Sequence, residues 1–198
     1  MRSPKQSKIF IVSGPSGSGK TTIIQKALKK RIFREKVLKT VSYTTRSKRR
    51  AEKEGKDYFF VTKGRFRALV KKGFFLEWMP VLQHSYGTPR AVVRRAQLQK
   101  KHLLLCIDVK GALQIRNEYP ARAVLIFILP PSMRELEQRL RARTTETAQE
   151  LRRRLSLARQ EITVAKKYDY CIINDTLSEA VYALECILTA EDLRRCGS

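Results

Sequence analysis

Gly14-Pro15-Ser16-Gly17-Ser18-Gly19-Lys20-Thr21 places three glycines, a lysine and a hydroxyl in the spacing G-x-x-x-x-G-K-[ST]. Glycines let main-chain N–H groups approach phosphate oxygens without a Cβ in the way. The lysine can reach β- and γ-phosphates, and the Thr21 hydroxyl can ligate Mg²⁺. Ile9 to Val12 ahead of the loop is an apolar, β-branched run, the pattern of a buried strand. From Thr22 to Lys30, Ile23, Ile24, Ala27 and Leu28 fall at helical spacing. Strand, glycine turn and helix start aim backbone donors and a helix dipole at one point. The segment is expected to hold a nucleotide's phosphates.

Two further groups of residues have chemical reach. Arg46 and Arg49 lie three apart in Ser42-Tyr43-Thr44-Thr45-Arg46-Ser47-Lys48-Arg49-Arg50. Both can fork onto a phosphate, or they belong to a solvated basic loop like Lys48 and Arg50 beside them. Glu77 sits within Phe74-Phe75-Leu76-Glu77-Trp78, a carboxylate on an otherwise apolar stretch. It either points outward from a strand or has a partner that compensates its burial. Leu103-Leu104-Leu105-Cys106-Ile107-Asp108 reads as a buried strand ending in an acid, a pattern that holds Mg²⁺ through water in many NTPases.

The elements that must position these groups follow from periodicity. Val37 to Ser42 predicts a second strand, and a charged loop spans Ala51 to Lys56. Strands at 57–62, 74–78 and 81–86, turning at Pro80, with a short helix around Phe66, Leu69 and Val70, lack a βαβ rhythm and predict an inserted, mainly β unit. Alternation then resumes. Helix 89–100 precedes the Leu103–Asp108 strand, helix 112–119 precedes strand 124–129, and Ser132–Glu135 and Thr147–Glu150 read as capping boxes. A basic loop over 142–146 separates those two helices. A strand at 170–173 and a final helix bearing Val181, Leu184, Ile187 and Leu188 complete the pattern. It predicts a parallel sheet covered on both faces, with ligands at the C-terminal ends of its strands.

Composition narrows the setting. The chain of 198 residues is long enough for one α/β domain. It has no apolar run near ~18 residues and no h-region at its N-terminus, which predicts a cytoplasmic protein. Cys106, Cys171, Cys186 and Cys196 show no metal-binding spacing; Cys106 and Cys171, within apolar runs, are expected to be buried free thiols. The net charge is +24, with 11 Lys or Arg between Lys26 and Arg50 against Glu35 alone. Polyphosphate substrates would use part of it. The surplus is expected to be a solvated surface or a source of loose affinity for nucleic acid or anionic lipid.

The P-loop, S-x-T-T-R-x-x-R, the Glu-Trp after two aromatics, Tyr86-Gly87-Thr88 and Ile107-Asp108-Val109-Lys110-Gly111 occur here in that order. With these motifs the chain resembles a guanylate kinase from about Lys8 to Arg195. The resemblance implies ATP + GMP → ADP + GDP, with dGMP as a second acceptor and Mg²⁺ accompanying ATP. It implies a P-loop NTPase-type α/β fold: core 8–41, 89–141 and 168–195, a GMP-binding insert over 42–88 and a helical lid over 142–167. On the ATP side it implies roles for Gly14, Pro15, Ser16, Gly17, Ser18, Gly19, Lys20, Thr21, Thr22, Arg139 and Asn174. On the GMP side it implies Ser42, Arg46, Arg49, Tyr58, Glu77, Tyr86, Thr88 and Asp108. Lys20, Arg46, Arg143 and Arg154 would act on the transferring phosphoryl group.

Guanine's N1–H and 2-amino group are adjacent donors that one carboxylate can accept together, whereas adenine offers N1 as an acceptor. Glu77 is therefore the expected base reader. Two positions depart from the pattern: Cys106 stands where the family has an acid, and Ala142 and Thr144 replace lid glycines. Two other readings remain open at this point, a guanylate-kinase-like phosphopeptide-binding module and a kinase for another small phosphorylated acceptor.

Overall fold

The computed structural model describes residues 7–142 and 147–194. In chain order it begins β1 (Ile9–Ser13), α1 (Lys20–Ala27), α2 (Arg31–Lys36), β2 (Val37–Lys39), β3 (Ser42–Thr44) and β4 (Tyr58–Phe60). Then come α3 (Lys63–Lys71), β5 (Phe75–Val81), β6 (His84–Pro89), α4 (Ala91–Leu98), β7 (His102–Cys106) and α5 (Val109–Glu118). The chain continues through β8 (Ala123–Leu129), α6 (Met133–Arg141), α7 (Ala148–Thr163), β9 (Tyr170–Ile173) and α8 (Leu177–Leu193).

β1 is buried at every position, so it needs cover on both faces and neighbours on both edges. It pairs in parallel with β7 and β8, and the sheet runs β2-β7-β1-β8-β9, all parallel. Side chains alternate. Ile9, Ile11, Leu103, Leu105, Leu125 and Phe127 pack with Ala112 and Ile115 of α5 and Ala96 of α4 on one face. Phe10, Val12, Leu104, Ile126 and Ile128 meet Ile23 and Ile24 of α1 and Leu184 and Leu188 of α8 on the other. Each such buried Val, Leu, Ile or Phe side chain contributes roughly 1.5–3 kcal/mol. A smaller cluster joins Leu136 and Leu140 of α6 to Leu151 and Ala158 of α7.

The second sheet runs β4-β3-β6-β5 and mixes parallel and antiparallel pairs. It is held by aromatic contacts, Phe66 stacked on Phe75 and Tyr43 against Phe59 and Phe74. The expected single strand over 37–42 is in fact two, because the chain leaves the first sheet after Lys39 and enters the second at Ser42. The turn expected at Pro80 lies at Leu82–Gln83, with Leu82 at φ 56°. Pro80 stays in β5 because β5 is an edge strand, where a missing N–H is tolerated.

Cys171 is exposed, not buried, since β9 is the other sheet's edge. The box at Thr147–Glu150 forms in full. At Ser132 only half forms, because Glu135 turns to Arg139. Among the described residues no helix is long and apolar enough to cross a membrane. The C-terminal ends of β1 and β7 and the inner side of the second sheet border the same region, where the chemically competent residues gather.

Candidate active site

The loop between β1 and α1 is built around its lysine. Lys20 Nζ donates to the carbonyls of Gly14 at 2.6 Å and Pro15 at 2.9 Å, which holds the ammonium over the loop. Gly19 caps α1 at φ 94°, and a Cβ there would meet Asn174 Nδ2 at 2.2 Å. Only glycine suits that conformation and that approach. Thr21 and Thr22 are exposed in the first turn of α1, while Gly17 and Ser18 are buried and Ser16 is half-buried.

Asn174 braces the loop from behind: its Nδ2 donates to Ser18 O at 2.8 Å. Its backbone carbonyl accepts from Arg139 Nη2 at 3.2 Å, and Arg139 Nε pairs with Glu135. Arg154, on α7, donates from Nη1 to Ser16 Oγ at 3.0 Å. A residue 138 positions along the chain thus touches the phosphate loop directly. Arg143 lies outside the described residues.

The second sheet turns one carboxylate inward. A bulge between Phe75 and Glu77 shifts the register of β5 against β6, and such a bulge re-aims a side chain. Glu77 is 3% exposed, not outward-facing. Thr88 Oγ1 donates to Glu77 Oε1 at 2.6 Å, and Ser42 Oγ lies 3.3 Å from Thr88 Oγ1. With the Thr88 proton committed to Glu77, Ser42 is the donor in that second contact. Burial, and then the nearby charge of Asp108, push the Glu77 carboxyl up to about 7 despite the Thr88 hydrogen bond.

Room for this carboxylate comes from Gly111: a Cβ there would sit 2.6 Å from Glu77 Oε2. Asp108 does not end the strand. It is the N-cap of α5, accepting from Gly111 N at 2.8 Å, and burial raises its carboxyl above the ordinary range.

Arg46 stands beside these groups on an aromatic bed, its guanidinium 5.6 Å from the Tyr58 ring centroid and 5.9 Å from that of Phe60. Tyr86 is within its electrostatic reach. Arg49 is half-buried, whereas Lys48 and Arg50 are exposed, so the basic loop is not uniformly solvated.

One residue organises the pair and was hidden in the charged loop. Glu52 Oε1 accepts from Arg46 Nη2 at 2.6 Å, and Glu52 Oε2 accepts from Arg49 N at 2.9 Å. Burial works against the ion pair, yet these hydrogen bonds hold Glu52 below the usual carboxylate range. Glu52→Gln is expected to raise KM for a phosphorylated acceptor roughly tenfold, with kcat changed less, because the forked cation loses its alignment. Steady-state titration of the acceptor at saturating ATP checks this.

A family model described as guanylate kinase matches residues 6–191. The chain belongs to the guanylate kinase family. It is 40% identical over 191 residues to the guanylate kinase of Caldanaerobacter subterraneus subsp. tengcongensis, covering 96% of this chain and 90% of that one. To the guanylate kinase of Thermus thermophilus it is 44% identical over 190 residues, covering 96% and 84%. The crystal structure of guanylate kinase from Anaplasma phagocytophilum superposes with a TM-score of 0.79 at 34% identity, over 97% of this chain and 89% of that one. The shikimate kinase from Bacteroides thetaiotaomicron, at 14% identity and a TM-score of 0.50, covers 92% and 98% and shares the fold. This guanylate kinase therefore has the α/β architecture expected of it, down to the all-parallel sheet behind the phosphate loop.

Proposed function

We propose that this guanylate kinase transfers the γ-phosphoryl group of ATP to GMP or dGMP, giving ADP and GDP or dGDP. The observation that carries the reading is the buried Glu77–Thr88–Ser42 hydrogen-bond chain on the second sheet, with Glu77 packed against Gly111 at the head of α5. Ionised Glu77 accepts from guanine N1–H and the 2-amino group. Thr88, Ser42 and Asp108 complete the polar lining. Adenine would set a lone pair against the same oxygens, and a site of this kind rejects the wrong base by about 10⁴ or more.

Residues 42–88 then form the acceptor unit and 142–167 the lid, with the rest as the core. Arg46, Arg49, Tyr58 and Tyr86 grip the phosphate of GMP. The loop amides of Gly14 to Thr21, with Thr22, Lys20 and the braces Asn174 and Arg139, hold ATP. An oxygen of the GMP phosphate bonds to the γ-phosphorus as the bond to the β,γ-bridging oxygen breaks. Charge then spreads over the equatorial oxygens, where Lys20, Arg46, Arg143 and Arg154 neutralise it.

Mg²⁺ fits this donor set. Among the described residues no three His, Cys, Asp or Glu groups converge on a metal by themselves, and Mg²⁺ on a nucleotide characteristically takes one or two protein oxygens beside the phosphates. The exposed Thr21 hydroxyl, next to Lys20, is one such donor. When bound, the ion would neutralise charge on the β- and γ-phosphates. Such a kinase works in the cytoplasm, where its nucleotides are. An intact phosphate loop weighs against a phosphopeptide-binding module, and a sugar phosphate would leave Glu77 without a base to read.

A coupled assay of ADP release with GMP, dGMP, AMP and UMP tests the proposal. Turnover on GMP far above AMP and UMP is expected; equal rates on all four would overturn it. The pH dependence has a definite sign. Below about 7 the free enzyme's Glu77 carries a proton and cannot accept from guanine, so GMP affinity should fall as pH drops through that value. A phosphomonoester itself titrates near about 6. The comparison is therefore with Glu77→Gln, whose residual pH dependence is that of the phosphate alone. Calorimetry in buffers of different ionisation enthalpy should show wild type releasing a proton on GMP binding near pH 6.5 that the variant does not.

A further inference from the structure

Gly111 has no conformational reason to be glycine. It is buried in the first turn of α5, and its φ lies outside the left-handed region that calls for glycine. Alanine would serve a helix better there. What the position lacks is room. The three atoms nearest to a β-carbon built on Gly111 all belong to Glu77: Oε2 at 2.6 Å, Cδ at 3.2 Å and Cγ at 3.5 Å.

Neither side of this contact can give way cheaply. Gly111 N is tied to Asp108 Oδ1 at 2.8 Å, which fixes the head of the helix. Glu77 is 3% exposed, and its Oε1 is held by Thr88 Oγ1 at 2.6 Å. The main chain of β5 is fastened to the same helix. Leu76 packs in one cluster with Val109, Ala112 and Ile115, and Gln114 Nε2 reaches Leu76 O at 3.5 Å. α5 thus supplies both the anchor and the clearance for a side chain that belongs to the second sheet.

We propose that Gly111 is a specificity-determining residue of this kinase: by lacking a β-carbon it sets where the Glu77 carboxylate meets the two donors of guanine. The inference rests on Glu77 reading the base, as proposed above. The part Gly111 plays is positioning, exerted through Glu77. Ordinary contact with a β-carbon needs 3.4 Å or more, so a methyl group would drive Oε2 back by roughly 1 Å, and a misplacement of that size costs about 10²-fold. With Oε1 still tied to Thr88, the carboxylate would pivot and lose one of its two donors.

Glu77→Asp shortens the side chain by one methylene group and vacates the space a methyl at position 111 would take. Wild type, Gly111→Ala, Glu77→Asp and the double variant are compared by kcat/KM for GMP and AMP, binding of an ATP analogue and a thermal melt. Gly111→Ala is expected to lose about 10²-fold on GMP, with AMP turnover and analogue binding unchanged and the melting temperature no lower. In the Glu77→Asp background the same alanine should cost about tenfold less, or less still. Unchanged GMP efficiency in Gly111→Ala would overturn the proposal. So would an equal loss in both backgrounds, the result expected if alanine only disturbs α5 or its Asp108 cap. Glu77→Gln, assayed beside them, tells which reading has failed. If it keeps its preference for GMP, the base assignment is at fault; if it loses that preference while Gly111→Ala does not, only the role of Gly111 falls.

Discussion

Glu77→Gln should lower kcat/KM for GMP by about 10³-fold or more while leaving binding of ATP near normal. The glutamine keeps the shape of the side chain, and its carbonyl can still accept from Thr88. Its amide, however, points N–H at a base edge that is itself made of donors, so one buried pair becomes a clash of hydrogens. The folded protein should not suffer. Glu77 is 3% exposed, and removing a buried charge with a raised carboxyl relieves a desolvation cost at neutral pH. Steady-state kinetics with GMP and AMP, beside a thermal melt, test both halves. A variant that keeps its preference for GMP would show that the base is read elsewhere.

Arg154→Ala should reduce kcat by about 10³-fold with a far smaller change in KM for GMP. The guanidinium already contacts Ser16 Oγ. From α7 it also acts on His84 of the second sheet, whose imidazole is held below its ordinary value by burial and then by Arg46, Lys63 and Arg154. Cations of α7 and of the second sheet thus act on one side chain, and on the proposed function they would meet the transferring phosphoryl group where it is most negative. Arg154→Lys should recover only part of the rate, since an ammonium keeps the charge and loses the fork. Single-turnover measurements separate this step from product release. An unchanged single-turnover rate would remove Arg154 from the chemistry.

Where the letters of the chain spoke locally, they foretold the structure. The strand at Ile9, the glycines of the loop and the alternating elements from Ala91 onward each carry their own period or turn chemistry. The break at Thr40–Val41 was not legible, because Val37 to Ser42 reads as one β-prone stretch and nothing in it marks a change of sheet. Pro80 misled for a related reason: a proline signals a turn unless its strand is an edge, and edges are a property of the whole sheet.

Of the candidate site, Glu77 and the two arginines stood out as a lone charge among apolar residues and as a spaced pair. Glu52 did not, since it lies in a charged segment whose solvated residues look the same. Only the fold distinguishes the acid that turns inward. Gly111 belongs with Glu52; its missing β-carbon matters because Glu77, 34 positions earlier, fills that space.

The chain crosses between its two sheets twice, after β2 and again after β6. At the first crossing Thr40 is pinned, its N–H and hydroxyl both reaching the carbonyl of Leu104. At the second, Arg90 N donates to Phe74 O, which fastens the start of α4 to the second sheet itself. Any swivel of the second sheet, the proposed acceptor unit, towards the phosphate loop would thereby be forced into the few bonds around Val41 and the junction at Ala91. On the proposed function the unit would work as a gate on two pins, and a stiffening change at either pin should slow opening and closing while leaving every substrate contact intact.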